Sequence, residues 1–319
     1  MTATPGQSVL VYDVGGSHVS AAVCQEHTYR LGPVVSAAHV AEQTSDAFIH
    51  LLYSLGFDAT AGFGHISGVE IAMPGPFDFD SGVSLMRHKL PYLYGVSLRQ
   101  LLAEHFGWQV GQERFVHDAA AFLLGEIGAG AARGASRAVG ITLGTGIGSA
   151  FAINGRVVTE GRGVPPGGEI WNLPYESGIV EDLLSTRAIQ RDYQRSTGLL
   201  PDVAKIAAAA ASDPEAAAAF ILFGRHLGLA LRMTLSAFAP HAVIVGGGIS
   251  RSAHLFLPSA QKQLEDLVFR LQVTALLDHA PLVGAAVAWF NYSKGANDSF
   301  PQPAAGSTHA HAVYISARK

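Results

Sequence analysis

Two short stretches about 130 residues apart share one pattern, and that repeat constrains the fold more than any other feature of the chain. The first is an apolar run from Val9 to Tyr12, then Asp13-Val14-Gly15-Gly16-Ser17, then a β-rich run from Val19 to Val23. The second is Ala138 to Leu143, then Gly144-Thr145-Gly146-Ile147-Gly148, then Ala150 to Ile153, with Asn154-Gly155 leading to Arg156–Val158. Strand, glycine turn, strand is a hairpin signature, and Asn-Gly marks a further hairpin. The repeat suggests two related lobes facing one another, with a ligand cleft between them.

The rest of the chain alternates strands and helices. Gly68 to Met73 reads as a strand ending at Pro74-Gly75-Pro76, and Arg114 to His117 as another that runs into a helix beginning near Asp118. Val180 to Ile189 reads as helical. From Asp213-Pro214 to Ala239 the sequence carries an N-cap, a proline at the first helical position and a stripe of Phe220, Phe223, Leu227, Leu231, Leu235 and Phe238. Pro240 ends that helix. Ala242 to Val245 is a buried-type strand meeting Gly246-Gly247-Gly248, and Leu282 to Phe290 an apolar closing helix. From Gly295 onward the composition shifts to Asn, Ser, Pro, His and Ala, so 295–319 is expected to be a poorly ordered tail. The pattern implies an α/β fold.

Composition narrows the partners. Of 319 residues only 14% are charged, and the formal charge is -4, with no Lys/Arg cluster to serve as a footprint for nucleic acid or an anionic membrane. Small molecules are the expected partners. The single Cys24 excludes an internal disulfide and any zinc framework of two or more cysteines, and suits a reducing compartment. The most apolar stretch, Met233 to Ile249, is interrupted by Pro240, His241 and three glycines, and MTATPGQS at the start lacks the regions of a signal peptide. A soluble cytoplasmic protein is expected.

Several segments could carry chemistry. Asp13 beside Gly15, Gly16 and Ser17 would let backbone N–H groups face an anion while the carboxylate holds a phosphate-bound Mg²⁺ through water, although an ordinary turn uses the same residues. Gly144, Thr145 and Gly146 form a second loop with no bulk to block a phosphate chain, or else a tightly packed hairpin. Neither loop fits the Rossmann or P-loop pattern. Asp118 is a simple helix cap or a general base at a strand end. Glu169, in a Gly/Pro-rich loop, and Glu181, at a helix start, could bind vicinal hydroxyls or simply be solvated. Gly246, Gly247 and Gly248 offer a flat surface for a nucleoside, or a tight strand-to-helix connection. No H-E-x-x-H occurs among the 14 histidines, and His309 and His311 lie in the tail.

Taken together, DVGGS at 13–17, MPGP at 73–76, HDAAAFLLGE at 117–126, ITLGTGIG at 141–148, GGEIWN at 167–172, SGIVEDLLS at 177–185, VGGGIS at 245–250 and LVGAAVAW at 282–289 are similar in order and spacing to the ROK family. That family is named for repressors, open reading frames and kinases, and includes bacterial glucokinases, fructokinases and N-acetylhexosamine kinases. The resemblance implies a two-lobed actin-like, hexokinase-like ATPase fold with sugar and MgATP meeting in the central cleft, and it suggests a homodimer. The expected lobes are 1–116 plus about 282–294, and 117–281. Carried over by motif, Asp13, Gly15, Gly16, Ser17, Gly144, Thr145 and Gly146 resemble the phosphate loops, and Gly246 to Gly248 the adenosine motif. Asp118 resembles the base that deprotonates the sugar hydroxyl. Gly75, His117, Glu169, Asn172 and Glu181 fall in the sugar shell, and Mg²⁺ is expected near Asp13.

Departures cluster at the sugar. His117 stands where the family has Asn, Asn172 where it has His, and Lys89 where it has Asn. The family's zinc segment is missing, with Ile179 in place of its last cysteine, so support for the sugar loop is expected from packing through Trp171 and Tyr175. These changes leave two alternatives beside an ATP-dependent hexose kinase: a non-catalytic sugar or sugar-phosphate sensor, and a kinase of an amino sugar, polyol or inositol. A DNA-binding repressor is not expected, since such relatives carry a helix-turn-helix ahead of the kinase-like part and about eight residues precede Val9.

Overall fold

The computed structural model describes residues 7–39, 44–106 and 112–293; the tail expected from 295 lies outside the described residues. In chain order the first part contains β1 (Ser8–Val14), β2 (His18–Gln25), β3 (Val35–Ala38), α1 (Ser45–Thr60), β4 (Val69–Met73), the short hairpin β5 (Phe77–Asp78) and β6 (Val83–Ser84), α2 (Leu98–Phe106) and β7 (Glu113–His117). Next come α3 (Asp118–Gly128), β8 (Arg137–Leu143), β9 (Ile147–Ile153), β10 (Arg156–Val158), the two-strand pair β11 (Pro174–Tyr175) and β12 (Gly178–Ile179), and α4 (Val180–Leu183). The last part is α5 (Thr186–Thr197), α6 (Val203–Ala209), α7 (Pro214–Phe238), β13 (Ala242–Gly246), α8 (Ala253–Lys262), β14 (Arg270–Val273) and α9 (Ala280–Ser293).

The repeat seen in the sequence is a repeat of topology. One sheet has the order β3-β2-β1-β4-β7 and the other β10-β9-β8-β13-β14. In each, the glycine-tipped hairpin pairs antiparallel, and its first strand pairs parallel with the next strand over, β1 with β4 and β8 with β13. Central strands of such sheets are covered on both faces, so they are apolar without alternation. Leu10, Tyr12 and Val14 of β1 face a core shared with α1, while Val9 and Val11 face the middle of the molecule. Val139, Ile141 and Leu143 of β8 face a core shared with α5, α7 and α8. Helix α7 is long and apolar enough to cross a membrane by length and composition, yet half of that stretch is buried and its phenylalanine and leucine stripe fills this last core.

Between the sheets lie α3 and α9, which follow the topologically equivalent strands β7 and β14. Helix α3 packs on β8 and β9, α9 packs on β1, β2 and β4, and the two helices pack on each other. Their approach is set by glycine. A Cβ placed at Gly284 would lie 1.6 Å from the Ala121 carbonyl oxygen, and one at Gly125 would lie 2.1 Å from the Ala280 carbonyl oxygen.

The segment 180–189 differs from its helical reading. It is broken at Leu184-Ser185 into α4 and α5, because Thr186 gives both its N–H (2.9 Å) and its hydroxyl (2.7 Å) to the Gly144 carbonyl.

Substituting Gly284→Ala should cost about 3 kcal/mol through overpacking between helices that have no room to part. Gly16→Ala, whose Cβ meets no atom within 4 Å, should stay within about 0.5 kcal/mol of wild type, both variants being measured by urea titration.

Candidate active site

The ends of β1, β7, β8 and β13 carry the residues singled out in the sequence. At β1 the turn closes through the Gly15 N–H donating to the His18 carbonyl at 2.9 Å, and a Cβ at Gly16 would face open space. Ser17 is exposed, with its hydroxyl 2.9 Å from His18 Nδ1. Asp13, one residue before the strand ends, has its carboxyl pushed up to about 7, first by burial and then by the Asp118 and Asp278 carboxylates.

The second glycine turn closes through the Gly144 N–H donating to the Gly146 carbonyl at 2.9 Å. Gly144 faces open space and Thr145 is exposed. Glu181 lies against this turn: its Oε2 accepts from the Ile147 N–H at 3.3 Å and would be 2.2 Å from a Cβ at Gly146. The carboxylate expected in the sugar shell thus lies against the second glycine turn. The three glycines after β13 divide by role. Gly246 rests on the Phe122 ring, and Gly247, at φ +82°, meets the Leu143 backbone, its Cβ position being 2.4 Å from that carbonyl oxygen. Only Gly248 opens onto free space, so two of the three are required by the strand-to-helix connection itself.

The third group forms where β7 gives way to α3. Register pairs Met73 with His117, so the Gly75-Pro76 segment leaves β4 directly beside the start of α3. His117 occupies the N-cap position without a side-chain cap bond, and Asp118 Oδ1 accepts from the Ala119 N–H at 2.7 Å. His117 Nε2 lies 3.3 Å from Asp118 Oδ1 and 4.0 Å from Glu169 Oε1. A Cβ at Gly75 would be 3.6 Å from His117 Nε2 and 3.9 Å from Glu169 Oε1, so any side chain there would enter the space these groups share.

Glu169 is held by three features. Gly167 and Gly168, at φ +71° and +72°, turn the loop; the buried Ser149 hydroxyl donates to the Gly168 carbonyl (2.7 Å) and accepts from the Ile170 N–H (3.0 Å); and Trp171 Nε1–H donates to Glu169 Oε2 at 2.8 Å. Tyr175 bonds His226 of α7 at 2.9 Å. Trp171 and Tyr175 thus do the anchoring expected of them. Asn172 and Lys89 are exposed.

The structure therefore joins Gly75, His117, Asp118 and Glu169, sets Asp13 within electrostatic reach of Asp118, and places Glu181 beside the second turn. Sequence reasoning missed Asp278, Ser149, Thr186 and His39. Asp278 begins the approach to α9 as Asp118 begins α3, and it pairs with Arg251 just past the glycine triplet. The only sequence signal for it is the repeat itself, which makes the starts of α3 and α9 equivalent.

Two like-ordered sheets, a helix pair crossing between them and a carboxylate-lined site at the strand ends define a two-lobed α/β protein of the actin-like, hexokinase-like class. The ROK family profile matches residues 9–291, and the chain belongs to that family. A glucokinase from Thermotoga maritima is 30% identical over 251 residues, covering 68% of this chain and 77% of that protein. An N-acetyl-D-glucosamine kinase from Pectobacterium atrosepticum is 28% identical over 232 residues, covering 66% and 74%. The crystal structure of a ROK hexokinase from Thermus thermophilus matches with a TM-score of 0.76 at 26% identity, over 91% of this chain and all of that one.

An acid whose folded pKa is raised loses stability as pH climbs from its unfolded to its folded value. For Asp13 that window runs from 3.8 to about 7. Asp13→Asn should therefore melt higher than wild type at pH 8, with the gap closing toward pH 4; a gap independent of pH would contradict the assignment.

Proposed function

We propose that the chain is an ATP-dependent sugar kinase that transfers the γ-phosphoryl group of ATP to a hydroxyl of a hexose or hexose derivative, with Asp118 as general base. One observation carries this reading. Asp118 lies within electrostatic reach of Asp13, at the strand end that carries the first glycine turn, and beside His117, which in turn lies next to Gly75 and Glu169. A group that removes a proton from an acceptor hydroxyl while a phosphate lies across the glycine turns needs this position.

In the step itself, the sugar hydroxyl oxygen bonds to the γ-phosphorus as its proton passes to Asp118, and the bond from that phosphorus to the β–γ bridging oxygen breaks, releasing ADP. Gly15, Gly16 and Ser17, with Gly144, Thr145 and Gly146, line the phosphates, and Gly248 lies by the nucleoside. Glu169 accepts from sugar hydroxyls in an orientation locked by Trp171. Among the described residues no three His, Cys, Asp or Glu side chains converge as a direct metal site. Asp13 nevertheless suits Mg²⁺ held chiefly by phosphate and water, because an oxygen donor facing two further carboxylates favours a hard cation. When bound, that ion neutralises charge on the phosphate oxygens.

The same reading makes the lobes 1–116 with about 282–294, and 117–281, supported by α9 packing on the first sheet and α3 on the second. It places the protein in the cytoplasm, as a homodimer acting on small molecules, in keeping with its charge of -4. The residues His117 and Asn172 motivate the alternative of a sugar sensor without turnover, which ADP release tests.

MgATP-dependent ADP release across hexoses, N-acetylhexosamines and polyols should single out a substrate. Asp118→Asn should lower its turnover by about two to four orders of magnitude while leaving sugar affinity within a few-fold. Full turnover in that variant would remove Asp118 from the role, and stabilisation by a sugar without any turnover would favour the sensor.

A further inference from the structure

We propose that His39 is a positioning residue that aims the first glycine turn at a nucleotide phosphate; the proposal rests on reading that turn as a phosphate loop. His39 follows β3 and is 7% exposed. Its backbone N–H donates to the Ser17 carbonyl at 3.0 Å, and its Nε2 lies 2.9 Å from the Gly15 carbonyl oxygen. One residue outside the hairpin thus holds two carbonyls of its turn.

The chemistry fixes the ring's state. A carbonyl oxygen only accepts, so Nε2 carries the proton, and in the neutral ring Nδ1 is left as an acceptor. The Tyr92 hydroxyl meets it at 3.3 Å. Phe48 of α1 and Tyr92 pack edge-on against the imidazole, with centroids 6.1 and 6.4 Å away, and against each other at 6.0 Å. Ring orientation is therefore held by Phe48 and Tyr92, outside the turn, while the Gly15 carbonyl selects the tautomer.

The consequence lies on the other side of the peptide plane. In a trans peptide the C=O and the following N–H point in opposite directions. Holding the Gly15 carbonyl against His39 aims the Gly16 N–H the opposite way, away from the imidazole, at an exposed residue of the turn. A glycine turn is otherwise free to flip this peptide, since glycine tolerates both orientations. His39 removes that freedom and fixes the direction of the Gly16 N–H. Tyr92 belongs to the turn Pro91–Leu93 just after Lys89, so the same contact ties the glycine turn to the loop at the sugar side.

The test titrates full-length wild type, His39→Ala, His39→Gln and Tyr92→Phe with MgAMPPNP and with adenosine, alongside melting curves. His39→Ala should weaken MgAMPPNP about tenfold, the scale of one well-placed hydrogen bond to a charged group, and leave adenosine within twofold. Glutamine has an N–H to offer Gly15 and an oxygen for Tyr92, so His39→Gln should recover most of the loss. Tyr92→Phe should cost a few-fold on MgAMPPNP alone. Equal losses for both ligands, no loss in His39→Ala, or a His39→Gln variant that melts like wild type yet binds as weakly as His39→Ala would overturn the proposal. Wild type binding MgAMPPNP no tighter than adenosine would remove the phosphate reading of the turn and this proposal with it.

Discussion

Backbone contact between α3 and α9 governs the rest of the structure. The two helices follow equivalent strands of the two sheets, and each presents a glycine, Gly125 or Gly284, to the carbonyl of an alanine one turn earlier on its partner, Ala280 or Ala121. No side chain fits between them. Their separation is fixed at backbone distance, and the separation of the sheet ends is fixed with it, because each helix is packed on a sheet. The small residues around this crossing, Ala119, Ala120, Ala121, Ala285 and Ala286, are what a close approach permits, and Phe122, Leu123, Trp289 and Phe290 fill the space beyond.

This crossing brings the starts of both helices toward Asp13. Burial first, and then the Asp118 and exposed Asp278 carboxylates within electrostatic reach, shift its carboxyl from 3.8 to about 7. A sequence selected only for stability would place an amide there. Concentrating acidic side chains at a desolvated strand end is costly, and a site built to receive a cation and a phosphate chain is where such an arrangement makes physical sense. The contrast with Glu126 is instructive. That buried carboxylate accepts from Ala131, Ala275 and Leu276 N–H groups and from the Thr274 hydroxyl, so it is satisfied within the fold and pins the approach to α9.

Much of the fold was legible because its signals are local. The hairpins at 13–17 and 144–148 announce themselves by apolar runs interrupted by glycine, and α7 by its N-cap, its proline and its stripe. The placement of candidate residues was legible where a motif sits at a strand end, as with Asp13 and Asp118, or in a glycine-rich loop, as with Glu169. It was not legible where tertiary contact overrides local pattern. Glu181 sits at a helix start, as expected, and its contact with the Ile147 N–H is one that nothing in the local sequence announces. The single helix expected over 180–189 gave way to a break because Thr186 serves the Gly144 carbonyl. The close approach of Phe122 to Gly246 and of the Leu143 backbone to Gly247 is likewise invisible in the local sequence. His39 and Asp278 have nothing in their neighbouring sequence to distinguish them, and only the folded chain brings them to the site.

The central claim is that Asp118 stands between a phosphate clamp made by the two glycine turns and a sugar held at Glu169. A crystal structure of the chain with AMPPNP and its preferred sugar tests it most directly. The account predicts the γ-phosphate between residues 15–17 and 144–146, with one sugar hydroxyl about 2.6–3.2 Å from the Asp118 carboxylate and pointed at the phosphorus. A γ-phosphate seated away from both turns, or a sugar whose every hydroxyl lies out of reach of Asp118, would contradict it.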